Sequence, residues 1–140
     1  MDQRIIEEKI ESLRRCVRRI ETKRPRRVEV LQDDWDIQDI IALNLTRAVQ
    51  LCVDIAAHVV AESDQAPPET MGEAFEHLHK MGVLDHDLSE RLKGAVGFRN
   101  IAVHNYRTID WQIVFSIIHE HLDDFRQYAK AVTAWFTGST

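Results

Sequence analysis

Three residues with chemical potential crowd into one short stretch, FRNIAVHNY, spanning residues 98–106. Arg99, His104 and Tyr106 surround the apolar trio Ile101, Ala102 and Val103. A neutral imidazole can take a proton from a hydroxyl, and an imidazolium can return one to a leaving group. A guanidinium can hold a phosphate and stabilise charge developing on its oxygens. With RNA the nucleophile can be the neighbouring 2′-hydroxyl, so the pair needs neither a metal nor a protein nucleophile. DNA lacks that hydroxyl and is a poor substrate for the same groups. Geometry constrains the idea: at about 100° per residue, Arg99 and Tyr106 share a helical face while His104 lies about 140° from Arg99. Either the helix bends or ends between Arg99 and Tyr106, which Asn100 and Asn105 would tolerate, or another helix or a second subunit completes the site.

Other chemistries find less support. His77 and His79, and His119 and His121, are each two apart within helical patterns and point to opposite sides. A helical zinc site favours i, i+4 histidines and a third ligand, and Cys16 and Cys52 form no Cys-x-x-Cys, so no metal is expected. No serine sits in a nucleophile-elbow context, which leaves acyl transfer unsupported.

The elements that must position these residues are legible from periodicity. Ile6, Ile10, Leu13, Val17 and Ile20 form one seam of a first helix over about residues 3–22, which KRPRR ends around Pro25. A second helix, from about Asp34 to Glu62, is apolar on most sides and should be central. Its polar residues Asn44, Arg47, Asp54 and His58 share a stripe with Leu51, read either as part of a site or as a buried bonded stripe or interhelical salt bridge. SDQAPP is a loop. Thr70 and Glu73 have capping-box spacing and open a third helix through about Met81, with Gly82 as its stop. A fourth begins near Asp87 with Leu88, Leu92 and Val96. A last one starts around Asp110, with Val114, Ile118, Leu122, Phe125, Tyr128 and Val132 on its apolar face. With no strand alternation, repeat or Gly-rich phosphate loop, the expectation is an all-α bundle of about five helices, one domain over 1–140.

Bulk properties set the context. A chain of 140 residues can build its own core. Two cysteines suggest no disulfide framework and a reducing compartment. The charged start MDQRIIEEKIESLRRC is neither a signal nor a transit sequence, and no apolar run approaches the roughly 20 residues of a membrane span. A cytoplasmic, membrane-free protein is expected. The net charge of −5 conceals eight basic residues and one acidic residue between Arg14 and Arg27. Such a patch can neutralise phosphates locally, or it can simply be a solvated helix face and a charged turn.

Arg99 to Tyr106 reads Arg-x4-His-x-Tyr, and here the chain resembles the HepT-like toxins of the HEPN superfamily, small all-α ribonucleases. NLTRAVQLCVDIAAHVV is similar to their second helix, PPETMGEAFEHLHKMGVL to the next helix and turn, and LKGAVGFRNIAVHNY to their active-site segment. The resemblance covers most of the chain. It implies a metal-independent endoribonuclease, with no cofactor, that is the toxin half of a toxin–antitoxin pair. Arg99 would bind the scissile phosphate, His104 would be the acid/base, and Tyr106 would complete the motif. The resemblance further implies a symmetric homodimer with two motifs facing one cleft. Its expected partner is a minimal nucleotidyltransferase antitoxin, which neutralises by AMP transfer onto Tyr106. Arg47, Asp54 and His58, with Asn100 beside Arg99, are expected to line or brace the cleft. The competing expectation from another class is a non-catalytic helical subunit that positions substrate for a nucleotidyltransferase.

Overall fold

The structure, a computed structural model, describes residues 3–138. Among these residues there are seven α-helices, one 3₁₀ turn and no strand. They are α1 (Gln3–Lys23), α2 (Val28–Asp33), α3 (Trp35–Ala61), α4 (Met71–Lys80), α5 (His86–His104), the 3₁₀ turn (Tyr106–Thr108), α6 (Trp111–Glu120) and α7 (Asp123–Thr137).

The all-α class agrees with the sequence; the count exceeds five for two local reasons. Residues 28–33 form a short helix that the KRPRR break hides, anchored by fully buried Leu31. The Gln38 side chain holds it by donating to the carbonyls of Leu31 and Gln32. The expected last helix is broken at His121 and Leu122. Histidines end α6 and Asp123 and Asp124 begin α7, each suited to the local helix dipole. Val114, Ile118, Leu122, Phe125, Tyr128 and Val132 are all buried across this break, so their periodicity gives no sign of it.

Helix α3 is the axis of the bundle, with α1, α2, α4, α5 and α7 all packed against it. Its length and hydropathy would suit a membrane span, contrary to the expectation that no such run exists. Here its apolar residues instead form the core: Ile41, Leu45, Ala48, Val49, Cys52, Ile55, Ala56, Val59 and Val60 are buried. The seam of α1 lies on it as read from sequence, with Ile6, Ile10, Leu13, Val17 and Ile20 all buried. Each such side chain contributes roughly 1.5–3 kcal/mol on leaving water. From α7, Tyr128 reaches in to donate its hydroxyl to the Cys52 carbonyl at 2.7 Å.

Caps fix where the elements turn. Thr70 accepts from the Glu73 amide, and Asp85 accepts from the Leu88 amide to open α5. Gly82, at φ 81°, closes α4 in a Schellman arrangement: its amide bonds the His79 carbonyl and that of Val83 bonds Leu78.

Candidate functional site

Helix α5 carries the Arg99 and His104 pair. It runs unbroken to His104, so the two do not meet at a bend; they sit about 140° apart around one helix and about 7.5 Å apart along it. The break falls one residue later. Asn105 leaves helical geometry at φ −153° and ψ 63°, with its amide still bonded to the Ile101 carbonyl. The Thr108 amide and hydroxyl both bond the Asn105 carbonyl, and buried Ile109 pins the turn that follows. Tyr106 is thus set on a short rigid turn rather than on the helix.

Each motif side chain has a distinct environment. Arg99 is part-buried; its Nη1 donates to Asn100 Oδ1 at 3.1 Å, while its Nε is enclosed with no hydrogen-bond partner. Among the described residues no carboxylate pairs with it. His104 is exposed. The Tyr106 hydroxyl donates to Asp39 Oδ1, on the second turn of α3, at 2.7 Å. Its ring meets Trp111 edge-on at a centroid separation of 6.0 Å. Partial burial, and then the Asp39 bond and charge, push the Tyr106 hydroxyl well above the usual tyrosine range. Around it lies a hollow of about 230 Å³ lined by Asp39, Ala42, Leu43, Thr46, Ala102 and Val103.

The polar stripe of α3 divides. Asn44, Arg47, Leu51 and Asp54 line one groove of about 710 Å³ between α1 and α3, whereas His58 lies half-buried outside it. Asn44 is buried with its amide turned to the Ile40 carbonyl. Asp54 accepts from Gln50 at 3.0 Å and pairs with Lys9 of α1 at 3.9 Å, the interhelical salt bridge left open by the sequence. From α1, Arg15 and Arg19 enter the same groove and face Arg47. Among the described residues none of these three arginines has an ion pair, so the groove is positive. Cys16 at its floor registers this: burial pushes its thiol up, opposed by the charges of Arg47 and Arg15. Leu43, half-exposed, borders both the groove and the tyrosine hollow.

The basic patch therefore has two flanks. Arg14 and Arg18 lie on the other side of α1 beside Arg126, and Arg18 pairs with Glu11 at 3.3 Å. The histidine pairs are tied into the fold. His77 meets Glu73 at 3.2 Å, His79 the Leu84 carbonyl at 3.0 Å, His119 the Pro25 carbonyl at 2.8 Å and His121 Asp124 at 3.7 Å. Sequence reasoning missed Asp39. A carboxylate in the first turns of an apolar helix looks like an ordinary solvated residue, and its partner lies sixty-seven positions away.

Comparison with known proteins accounts for this combination of fold and motif. A family model described as "Ribonuclease HepT-like" matches residues 5–132. The mRNA nuclease HepT of Shewanella oneidensis is 35% identical over 130 residues, covering 93% of this chain and 97% of that protein. The tRNA nuclease HepT of Aphanizomenon flos-aquae is 28% identical over 99 residues, 70% of this chain and 67% of that one. Among solved structures, the tri-AMPylated Shewanella oneidensis HEPN toxin in complex with MNT antitoxin superposes with a TM-score of 0.88. It is 34% identical, over 96% of this chain and 99% of that one. Bundle and motif together are those of a small helical ribonuclease. More particularly, the chain belongs to the HepT-like ribonuclease family.

Proposed function

We propose that this chain, read as one HepT-like domain over 1–140, is the toxin of a toxin–antitoxin pair and cleaves RNA without a metal. The 2′-hydroxyl of the substrate attacks the adjacent phosphorus and the 5′-oxygen leaves. His104 moves the protons, and Arg99 holds the phosphate as negative charge builds on its oxygens. The observation that carries this reading is the uncompensated Arg99 guanidinium one and a half turns before an exposed His104, at the open end of α5.

One chain does not aim these two groups at one phosphate. The reading therefore includes a homodimer in which two α5 ends share a cleft, with half-exposed Leu43, Ile101 and Val103 supplying apolar surface beside it. Arg15, Arg19 and Arg47 give the strand a positive track, which answers how a chain of net charge −5 can hold RNA. In this reading Arg47 binds substrate, Asp54 and Asn100 brace their neighbours, and His58 is a more distant support. The partner is a nucleotidyltransferase antitoxin that silences the enzyme by AMP transfer to Tyr106, in the cytoplasm. The tri-AMPylated toxin among the relatives supports that mode.

The deciding experiment is RNA cleavage by the purified chain beside Arg99→Ala and His104→Ala, with chelator present, together with growth on expression without the partner. Both variants should fold, lose cleavage and relieve arrest. Undiminished toxicity in both folded variants would remove the assignment. Tight antitoxin binding with no cleavage by the unmodified chain would favour the non-catalytic subunit instead.

A further inference from the structure

The Asp39–Tyr106 contact has no structural necessity. Both residues are exposed, so water could satisfy either group without the cost that forces pairing in a core. Yet the pair is short, at 2.7 Å, and held from both sides. Asp39 stands on the bundle's central helix, while Tyr106 sits on the 3₁₀ turn braced by Trp111 and by the Asn105–Thr108 bonds. Beside the hydroxyl lies an open hollow walled by Ala42, Leu43, Thr46, Ala102 and Val103, and Asp39 is its one carboxylate. A phenol so placed is a poor nucleophile while it keeps its proton. It becomes a good one only if a base takes that proton as the new bond forms.

We propose that Asp39 orients the Tyr106 hydroxyl and accepts its proton during nucleotidyl transfer. The inference rests on the reading that Tyr106 is the AMP acceptor. Tyr106 Oη attacks the α-phosphorus of an ATP presented by the nucleotidyltransferase. The bond from that phosphorus to the bridging oxygen breaks, pyrophosphate leaves, and the proton passes from Oη to Asp39 Oδ1 and then to water. The product is a tyrosyl–AMP phosphodiester beside a carboxylate. It has no proton to share, and its negative charge now repels Asp39. The like charges push the modified side chain away from Asp39. The toxin thus supplies part of the chemistry of its own silencing.

The test uses the full chain, its cognate antitoxin and ATP, with AMP addition followed by intact mass. Wild type and Tyr106→Phe establish the acceptor. Asp39→Asn and Asp39→Ala, checked by thermal denaturation, should lower the maximal rate of the first transfer by roughly 10²-fold or more, the usual range for a positioned proton acceptor. The apparent KM for ATP and antitoxin binding should stay unchanged. Asp39→Glu should recover most of the rate, and added formate should partly rescue Asp39→Ala. Wild-type rates in folded Asp39→Asn overturn the proposal. So does a loss that neither glutamate nor formate repairs, which makes Asp39 only a tether. If wild type gains no AMP, or Tyr106→Phe gains as much, the acceptor reading itself fails and takes this inference with it.

Discussion

If Arg15 and Arg19 track the RNA backbone, their charges must appear in the salt dependence of binding. Both side chains enter the α1–α3 groove without an ion pair among the described residues, so each is free to displace one counterion from a phosphate. Each such contact on a single strand contributes about 0.7 to the slope of log affinity against log salt. Removing both, as Arg15→Gln with Arg19→Gln, should flatten the slope by about 1.4. Between roughly 50 and 200 mM salt, wild type should then lose about sevenfold more affinity than the variant. The control lies on the same helix: Arg14→Gln with Arg18→Gln removes equal charge from the opposite flank, where Arg18 already serves Glu11. That pair should leave the slope near wild type. Fluorescence anisotropy with a 2′-O-methyl strand measures this cleanly, because the substrate lacks the attacking hydroxyl. Equal slopes for the two variants would mean that RNA senses only net charge, and the groove would lose its role.

Other consequences concern the core and the tyrosines. Tyr128→Phe removes the bond to the Cys52 carbonyl but keeps the edge-on ring contact with Phe75. Urea denaturation should show a loss of about 1 kcal/mol with an unchanged m-value. Ile55→Ala, in the C-terminal half of α3 and fully buried, should cost about 2–5 kcal/mol in the same assay. Both tyrosines of the chain have hydroxyls pushed up, Tyr128 by burial and then by Cys52, and Tyr106 by burial and then by Asp39. A value raised in the folded state means that stability is full below the ordinary tyrosine value of 10.0 and declines as pH rises beyond it. Tyrosinate absorbance should therefore stay flat through that pH until the chain unfolds. Half the signal titrating there in the folded protein would show that Tyr106 is not held as described.

Much of this architecture is written in apolar spacing, because burial of one helix face is a local property of sequence. The seam of α1, the all-round apolarity of α3 and the caps at Thr70 and Gly82 could all be read that way. What could not be read depends on individual side-chain bonds rather than on spacing. Gln38 stabilises α2 through carbonyls of the preceding segment, and Arg91 draws Asp124 into the start of α7 with a 2.9 Å bond. Neither leaves a periodic trace. The site divides in the same way. Arg99, His104 and Tyr106 are visible as a motif, but their spacing alone leaves a bend, a helix end or a second subunit open; the helix end after His104 is seen only in the structure. Asp39, and the flank on which Arg15 and Arg19 lie, required three dimensions.

The unbroken path of α5 has a functional consequence. Were Arg99 and His104 brought together within one chain, each newly folded copy would be a competent nuclease before its antitoxin could act. Placing them about 140° apart on an unbroken helix fits the proposed dimer, in which activity would depend on a second copy. Tyr106 lies just beyond the helix end, on a separate turn and bonded to a different helix. A nucleotide added there inserts bulk and negative charge next to His104 without disturbing the core that holds α5 straight. On the proposed reading, assembly and silencing would act on the same rim through different elements. A modification that blocks the cleft need not unfold the toxin, and removing it would return an intact enzyme.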